Sequence, residues 1–198
     1  MLRRTSIIAL DIGNVCIKID KTTPLEKIGV INDRQMLEQF DYVMRLFEFG
    51  LMGEDEFFKT IAGIYDPANP DPAGAEKIFS SILVSPMPGM KELLNELPSS
   101  GITPVFFSDV STYHLRKCTE LLPEMKNFEG IFSFDHGAYK PSPKLFNAFE
   151  EKYGKPVIYT DDRMELITAA KENNWNAHCF VSAEELKKEI IKALKHQD

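Results

Sequence analysis

One stretch near the start of the chain limits the folds that this sequence can adopt. Residues 6–10 are small or apolar, and a carboxylate, Asp11, follows them just before the turn-forming pair Gly13-Asn14. Such a run predicts a buried strand. A strand that ends in an acid places that acid at the carboxyl edge of a sheet, where ligands bind in open α/β folds. On this stretch alone, an Asp that simply begins a turn is an equally good interpretation.

Strand and helix patterns alternate through the second half of the chain. Strands are predicted at 102–107, within 128–134, at 156–160 and around 177–181, and a helix pattern of about ten residues lies between each pair. The predicted helices span 86–97, 112–122, 143–153 and 164–173, and a last one follows Ser182. Strands that alternate with such helices indicate a parallel sheet covered by helices on both faces, which is a three-layer α/β fold.

Residues 21–85 have a different character, because helical spacing dominates there. Helices are predicted at 33–49, 54–64 and 73–83, a loop at 67–72, and a further helix start with Thr23 as N-cap and Pro24 at the first helical position. The block contains no strong strand candidate. We therefore expect a helical insertion, residues 18–85, in a core formed by residues 1–17 and 86–198.

Polar groups follow three of the predicted strands, and a lysine lies in the loop before a fourth element. These groups are Asp11, Ser108-Asp109, Asp161-Asp162 and Lys140. Because parallel strands present their carboxyl ends at one edge, we expect these groups to converge. An Asp there can attack phosphorus, and clustered carboxylates repel one another unless a cation such as Mg²⁺ binds them. A Ser hydroxyl and a Lys ammonium can hold a phosphoryl group as it transfers.

The order of these groups resembles the four motifs of the haloacid dehalogenase (HAD) superfamily, and the resemblance covers nearly the whole chain. The matching segments are Leu10-Asp11-Ile12-Gly13-Asn14-Val15, Phe106-Phe107-Ser108-Asp109, Tyr139-Lys140-Pro141-Ser142-Pro143 and Tyr159-Thr160-Asp161-Asp162. The block at 18–85 matches the superfamily's cap domain in position. The Asp-x-Gly-Asn-Val form is most similar to the branch that contains α-D-glucose-1-phosphate phosphatases. The resemblance implies a Rossmann-like core and a magnesium-dependent phosphatase that acts on a small phosphorylated metabolite.

The resemblance also implies roles for individual residues. Asp11 would be the nucleophile and a magnesium ligand, together with the backbone carbonyl of Gly13 and the side chain of Asp162. Asp161 would bind either the metal or a metal-bound water. Glu165 would support this site from outside the ligand set.

The phosphoryl group would be held by residues of the second and third motifs. Ser108 and Lys140 would contact it, with Asp109 beside them, and Lys140 would also pair with Asp11. These residues complete the catalytic and phosphate-binding set that the resemblance implies.

One position departs from the pattern of the superfamily. Most of its phosphatases carry a second Asp two residues after the nucleophile, as general acid and base, and Gly13 occupies that position here. Three consequences stay open: a substrate with a good leaving group, an acid supplied by Asp20 or by the cap, or a weak or inactive HAD-fold binding or regulatory protein. Metal-independent carbon–halogen hydrolysis also uses a strand-end Asp, but it does not need the acidic pair.

Composition excludes several other classes of function. The net charge of −7 disfavours nonspecific binding to nucleic acid and to anionic membranes. Three cysteines without metal-binding spacing indicate reduced thiols, and His114, His136 and His178 lack zinc spacing. The apolar run before Asp11 is too short for a signal peptide or a membrane span, so we expect a cytoplasmic protein. The oligomeric state and the identity of the substrate are not readable from the sequence.

Overall fold

The fold is built on a parallel sheet of five strands, seen in a computed structural model that describes residues 6–195. The start of the chain, Met1–Arg4, on which the prediction about a signal peptide partly depends, lies outside the described residues. Seven strands occur in two sheets: β1 (Ser6–Leu10), β2 (Ile17–Ile19), β3 (Leu83–Pro86), β4 (Ile102–Ser108), β5 (Gly130–Phe132), β6 (Ile158–Asp161) and β7 (Ala177–Cys179). The large sheet confirms the predicted α/β class.

The order of strands in the large sheet is β5-β4-β1-β6-β7, and all neighbours are parallel. The chain moves outward from β1 in one direction through β4 and β5, and then in the other direction through β6 and β7. The strand order therefore reverses next to β1. In open α/β sheets the crevice at such a reversal is the usual place for a ligand, and Asp11 follows β1 at this point.

Ten helices accompany the strands within the described range. They are α1 (Thr22–Lys27), α2 (Arg34–Glu48), α3 (Glu54–Tyr65), α4 (Pro72–Ser80), α5 (Met90–Ser99), α6 (Thr112–Leu121), α7 (Ser133–His136), α8 (Pro143–Tyr153), α9 (Met164–Glu172) and α10 (Ala183–Lys195). Short 3₁₀ turns occupy Val30–Asn32 and Pro123–Asn127. Among residues 6–195, no helix combines the length and the apolar character that crossing a membrane requires.

Alternate side chains of β1 supply two separate cores, which is why the strand reads as continuously apolar. Ile8 and Leu10 pack in one cluster with α5 and α10, while Ala9 packs in another with α8 and α9. Phe107 and Tyr159 belong to the second cluster, around the ring of Trp175. The helices thus cover both faces of the sheet, as the alternation of strands and helices predicts.

The inserted block has a core of its own. Aromatic rings from α2, α3 and α4 form a third cluster, and Tyr113 of α6 packs against it. The prediction that this block contains no strand is wrong at its end, because β3 pairs antiparallel with β2. This two-stranded sheet lies where the chain enters and leaves the block. The division into residues 18–85 and a surrounding core stays a prediction.

Three predicted helix boundaries also need correction. α1 begins at Thr22 rather than after Thr23, because Asp20 Oδ1 accepts hydrogen bonds from the backbone N–H groups of Thr22 and Thr23. The helix predicted at 73–83 ends at Ser80, where β3 follows closely. The helix predicted at 86–97 is shifted toward its carboxyl end, since α5 starts at Met90 and includes Pro98.

Candidate active site

Asp11 lies at the carboxyl end of the central strand β1, where the side chain is buried beneath the cap. Its backbone N–H donates to the carbonyl of Thr160 on the neighbouring strand β6, at 3.0 Å, which continues the sheet by one residue. The chain then turns, with Asn14 in the left-handed region at φ 53°. The position is therefore set by β-sheet hydrogen bonding, and the Asp is not simply a turn starter.

Lys140 connects Asp11 with the acidic end of β6. The buried ammonium donates to Asp11 Oδ1 at 2.7 Å, to Asp161 Oδ2 at 2.6 Å and to the carbonyl oxygen of Phe107 at 2.9 Å. The Tyr159 hydroxyl oxygen lies 3.3 Å away as a fourth acceptor, so that the three protons of the ammonium are shared among four acceptors. The Tyr159 hydroxyl also donates to Asp161, which directs that carboxylate further toward the lysine. The role of Tyr159 was not predictable from the sequence, because the residue reads as part of an apolar strand.

Burial and charge oppose each other within this cluster. Burial raises the pKa of Asp11, although Lys140 and the Ser108 hydroxyl favour its ionised form. Burial also disfavours the ionised form of Asp161, but Lys140, together with the hydrogen bonds from Tyr159 and from the backbone of Arg163, lowers the pKa of that carboxyl. For Lys140, burial alone would lower the pKa, and the carboxylates of Asp11 and Asp161 reverse the effect and raise it. Each of these three groups therefore relies on the charges of its neighbours to offset the effect of burial.

Asp162 completes a compact group of carboxylates. One oxygen from each of Asp11, Asp161 and Asp162 lies within 4.8 Å of the other two. Asp162 is half-buried, and its Oδ2 accepts a hydrogen bond from Asn14 Nδ2 at 2.9 Å. Asn14 in turn accepts from the backbone N–H of Ile19, so that one side chain ties the Asp11 turn to the Asp162 loop. Hard oxygen ligands at this spacing suit a divalent cation such as Mg²⁺.

Gly13 lies beside the carboxylate of Asp11, but an apolar side chain occupies the neighbouring space. A Cβ at residue 13 would lie 3.1 Å from Ile19 Cδ1 and 3.8 Å from Asp11 Oδ2. A side chain at this position would thus displace the end of Ile19. Residue 13 therefore lacks a carboxylate, and Ile19 fills the space that one would need.

Asp109 has a role in positioning Lys140. Its Oδ1 accepts from the backbone N–H of Lys140 at 2.9 Å, and its Oδ2 accepts from Arg163 Nη2 at 3.1 Å. Ser108, one residue earlier, is buried at the end of β4. The structure thus brings Asp11, Gly13, Ser108, Asp109, Lys140, Asp161 and Asp162 to one edge of the sheet.

A cleft of about 600 Å³ lies between this edge and the cap. Its floor carries Asp11, Ser108 and Lys140, and its cap wall includes residues of α2 such as Phe40 and Glu48. The wall combines apolar and charged side chains. This volume is in the range of small-molecule sites in proteins.

Glu48, at the last position of α2, is a cleft residue that the sequence did not single out. It is half-buried, and its Oε2 accepts a hydrogen bond from the Tyr139 hydroxyl at 2.6 Å. The ring of Tyr139 also packs against Phe49 with centroids 4.6 Å apart. Because Tyr139 precedes Lys140, this contact joins the carboxyl end of α2 to the loop that carries the buried lysine.

Other candidate groups lie away from the site. Glu165 is exposed on the first turn of α9, and its side chain makes no hydrogen bond within the described range, which disagrees with a supporting role. Asp20 is engaged at the start of α1, as described above. His114 is buried against Phe79, and burial lowers its pKa to about 4. The three cysteines are free.

Comparison with solved structures shows the class of fold. A HAD family enzyme of Bacteroides thetaiotaomicron, BT-2542, superposes with a TM-score of 0.77 at 20% identity, covering 89% of this chain and 94% of that one. A structure of the same enzyme in complex with magnesium and inorganic phosphate superposes with a TM-score of 0.75 at 20% identity, over 90% and 96% of the two chains. A predicted HAD-like hydrolase of Porphyromonas gingivalis superposes with a TM-score of 0.76 at 17% identity, over 96% and 97%.

A structural neighbour with a lower TM-score is a dehalogenase. The L-2-haloacid dehalogenase of Xanthobacter autotrophicus superposes with a TM-score of 0.57 at 14% identity, covering 96% of this chain and 83% of that one. No protein-family model matches the sequence, and no curated protein is significantly similar to it. The likenesses therefore show that this chain has the HAD fold, and they leave its reaction to be argued from its own residues.

Proposed function

We propose that this protein is a magnesium-dependent phosphohydrolase of the HAD superfamily, acting on a small phosphorylated metabolite through a covalent phosphate on Asp11. The observation that carries the proposal is the buried set of Asp11, Lys140, Asp161 and Asp162 at the strand-order reversal. The complex of BT-2542 with magnesium and inorganic phosphate supports both the metal and the kind of ligand.

The carboxylates present fit a magnesium ion. Asp11, Asp162 and the backbone carbonyl of Gly13 would hold it, with Asp161 binding either the ion or a water on it. When bound, Mg²⁺ would offset the charge of the phosphoryl oxygens and relieve the repulsion among the carboxylates. The acidic set distinguishes the site from one for carbon–halogen hydrolysis, which does not need a cation.

The first step would be attack by the Asp11 carboxylate on phosphorus. A bond forms between an oxygen of Asp11 and phosphorus, the bond to the leaving oxygen breaks, and that oxygen takes up a proton. In the second step water attacks the same phosphorus and releases Asp11 and phosphate. The ammonium of Lys140 would keep Asp11 ionised and in place, since burial alone favours the protonated form.

Ser108 and Lys140 would hold the oxygens of the phosphoryl group. The Asp109 carboxylate already accepts from Lys140 and Arg163, and it would repel a phosphate, so any contact from Asp109 would come from its backbone N–H. The likeness of the Asp-x-Gly-Asn-Val form to sugar-phosphate phosphatases places α-D-glucose 1-phosphate among the first substrates to test.

The proposal is tested by phosphate release from p-nitrophenyl phosphate and a panel of phosphorylated metabolites, with Mg²⁺ and with EDTA. We expect turnover that requires Mg²⁺ and is lost in Asp11→Asn. Glu38→Gln, on the exposed side of α2 where Glu38 pairs with Arg34, is the control and should keep wild-type rates. Turnover that survives Asp11→Asn or ignores EDTA would contradict the mechanism.

The second candidate is a binding or regulatory protein on the same fold. Gly13 favours it, because the usual acid is missing and Ile19 occupies the adjoining space. This candidate predicts binding of Mg²⁺ and phosphate by calorimetry with no turnover of any phosphate ester.

A further inference from the structure

The proposed reaction needs a proton at a position that the core strands do not supply. In an in-line transfer the leaving oxygen lies opposite the attacking carboxylate. Asp11 attacks from the sheet edge, so the leaving group projects into the cleft, toward the cap wall. Gly13 offers no acid there, and Ile19 closes the space beside it. The proton therefore has to come from another wall of the cleft.

Most other carboxyl groups near the cleft are already engaged. Asp109 accepts from Lys140 and Arg163, and Asp161 accepts from Lys140 and Tyr159. The two hydrogen bonds that Asp20 accepts at the start of α1 lower its pKa, which makes it a poor proton donor. These contacts leave the cap as the source of an acid.

Two carboxyl groups of α2 line the cleft, and Asp41 is exposed, whereas Glu48 is half-buried and has the surroundings that an acid requires. It lines the same cleft as Asp11 and Gly13, and the Tyr139 hydroxyl fixes one of its oxygens, leaving Oε1 for another partner. It ends α2, where the carbonyl end of the helix dipole disfavours a negative charge. A carboxyl group that donates and then accepts a proton works best when its protonated form is accessible near the working pH.

Charged groups from several elements face Glu48. Burial raises its pKa, and Asp109 adds to that effect, while the hydrogen bond from Tyr139 and the charges of Lys21 and Arg163 oppose it. The net direction is upward. This direction agrees with the position at the end of the helix, and it is the direction that a general acid requires.

We infer that Glu48 is the general acid and base of this site, taking over from the cap the role that a carboxylate at residue 13 would have. The inference rests on the proposed function. In the first step the Glu48 carboxyl gives its proton to the leaving oxygen as the bond to phosphorus breaks, and Glu48 becomes a carboxylate. In the second step Glu48 takes a proton from the attacking water, phosphate leaves Asp11, and the starting protonation is restored.

The test uses two variants that separate acid chemistry from the contact between Glu48 and Tyr139. Glu48→Gln keeps an oxygen that accepts from Tyr139 but cannot exchange a proton in this way. Tyr139→Phe keeps the carboxyl and removes the hydrogen bond. First-turnover and steady-state rates are measured with p-nitrophenyl phosphate, which has a good leaving group, and with an alkyl phosphate, which has a poor one.

With the alkyl phosphate, we expect Glu48→Gln to slow the first turnover by about 10²–10⁴-fold. With p-nitrophenyl phosphate, the same variant should release its first equivalent of p-nitrophenolate at nearly the wild-type rate and then slow, because the water step still lacks a base. Tyr139→Phe should lower the rates far less than Glu48→Gln does with the alkyl phosphate, and by the same factor for both substrates.

The outcomes separate the inference from the function on which it rests. Wild-type rates for Glu48→Gln with both substrates would overturn the inference and leave the phosphohydrolase intact. Equal losses in Glu48→Gln and Tyr139→Phe, with no dependence on the leaving group, would also overturn it and assign the pair to holding the cap on the core. A wild-type protein without turnover on either substrate would overturn the proposed function, and the inference with it.

Discussion

The ammonium of Lys140 lies 2.7 Å from Asp11 Oδ1, and both side chains are buried. The same ammonium contacts Asp161 at 2.6 Å, so a single cation separates two carboxylates that would otherwise face each other at the end of the sheet. The proposed nucleophile is thus paired with a cation and fixed in place by a neighbour 129 residues away in the sequence.

Removing that cation should destabilise the fold. In Lys140→Met, Asp11 and Asp161 lose their partner, and we expect the free energy of unfolding to fall by roughly 3–5 kcal/mol in EDTA. Mg²⁺ should recover part of the loss, because it can take the place of the missing charge. Urea denaturation with and without Mg²⁺ measures both effects.

A surface lysine provides the control for this comparison. Lys152 pairs with Glu129 in solvent, and Lys152→Met should leave the free energy of unfolding nearly unchanged. If Lys140→Met is no more destabilising than Lys152→Met, the buried ion pairs do not contribute to stability as expected.

Asn14 should control the affinity for magnesium. Its amide holds Asp162 at 2.9 Å, and its φ of 53° would strain an alanine, so Asn14→Gly is the variant that removes the side chain without distorting the turn. We expect Asn14→Gly to weaken Mg²⁺ binding by about 10–100-fold, as measured by calorimetry. An unchanged affinity would show that Asp162 does not depend on Asn14, or that it does not bind the metal.

His114 should make the fold sensitive to mild acid. Burial lowers its pKa from 6.5 to about 4. Between pH 4 and pH 6.5 this histidine therefore binds a proton in the unfolded chain but not in the folded protein. Stability is therefore lost as the pH falls from 6.5 to 4, and the loss from this group approaches about 3 kcal/mol. In His114→Gln, which can still hydrogen-bond the carbonyl of Phe79, this part of the pH dependence should disappear from urea denaturation curves. The same curve in the variant as in the wild type would assign the acid sensitivity to other groups.

An acid placed back at residue 13 should compensate for the loss of Glu48. Gly13→Asp alone meets Ile19 Cδ1, whereas Ile19→Val removes that atom and opens the space. In a Glu48→Gln background, we expect Gly13→Asp with Ile19→Val to recover at least about tenfold in the turnover of an alkyl phosphate. Gly13→Asp without Ile19→Val should recover less. The absence of any recovery in the combined variant would argue against a missing acid as the cause of the defect.

The strands and the site residues that follow them were predictable because their signal is local. The prediction that Asp11 ends a buried strand at the edge of the sheet requires strands that are parallel and buried on both faces. Both features follow from the alternation of strands and helices. Ser108 and Asp161 meet Asp11 for the same reason. The resemblance to HAD motifs added their expected roles.

The parts that the sequence did not reveal depend on contacts between distant segments. The strand β3 is four residues long and ends in Ser-Pro, so that only its pairing with β2 defines it. Tyr159 directly follows the apolar residues Val157 and Ile158, and Glu48 is one of several acids along α2. Their roles depend on how the core strands and the end of α2 lie relative to the loop that carries Lys140. Helical spacing alone does not predict that arrangement.

In the proposed mechanism Asp11 itself carries the phosphoryl group during turnover. The most direct measurement is acid quenching of the enzyme during turnover of p-nitrophenyl phosphate with Mg²⁺, followed by mass spectrometry of its peptides. Glu48→Gln is the preferred form, because its second step should be slow. We predict a phosphoryl group on the peptide that contains Asp11, and none in Asp11→Asn. A phosphoryl group on another residue, or wild-type turnover by Asp11→Asn, would contradict the account.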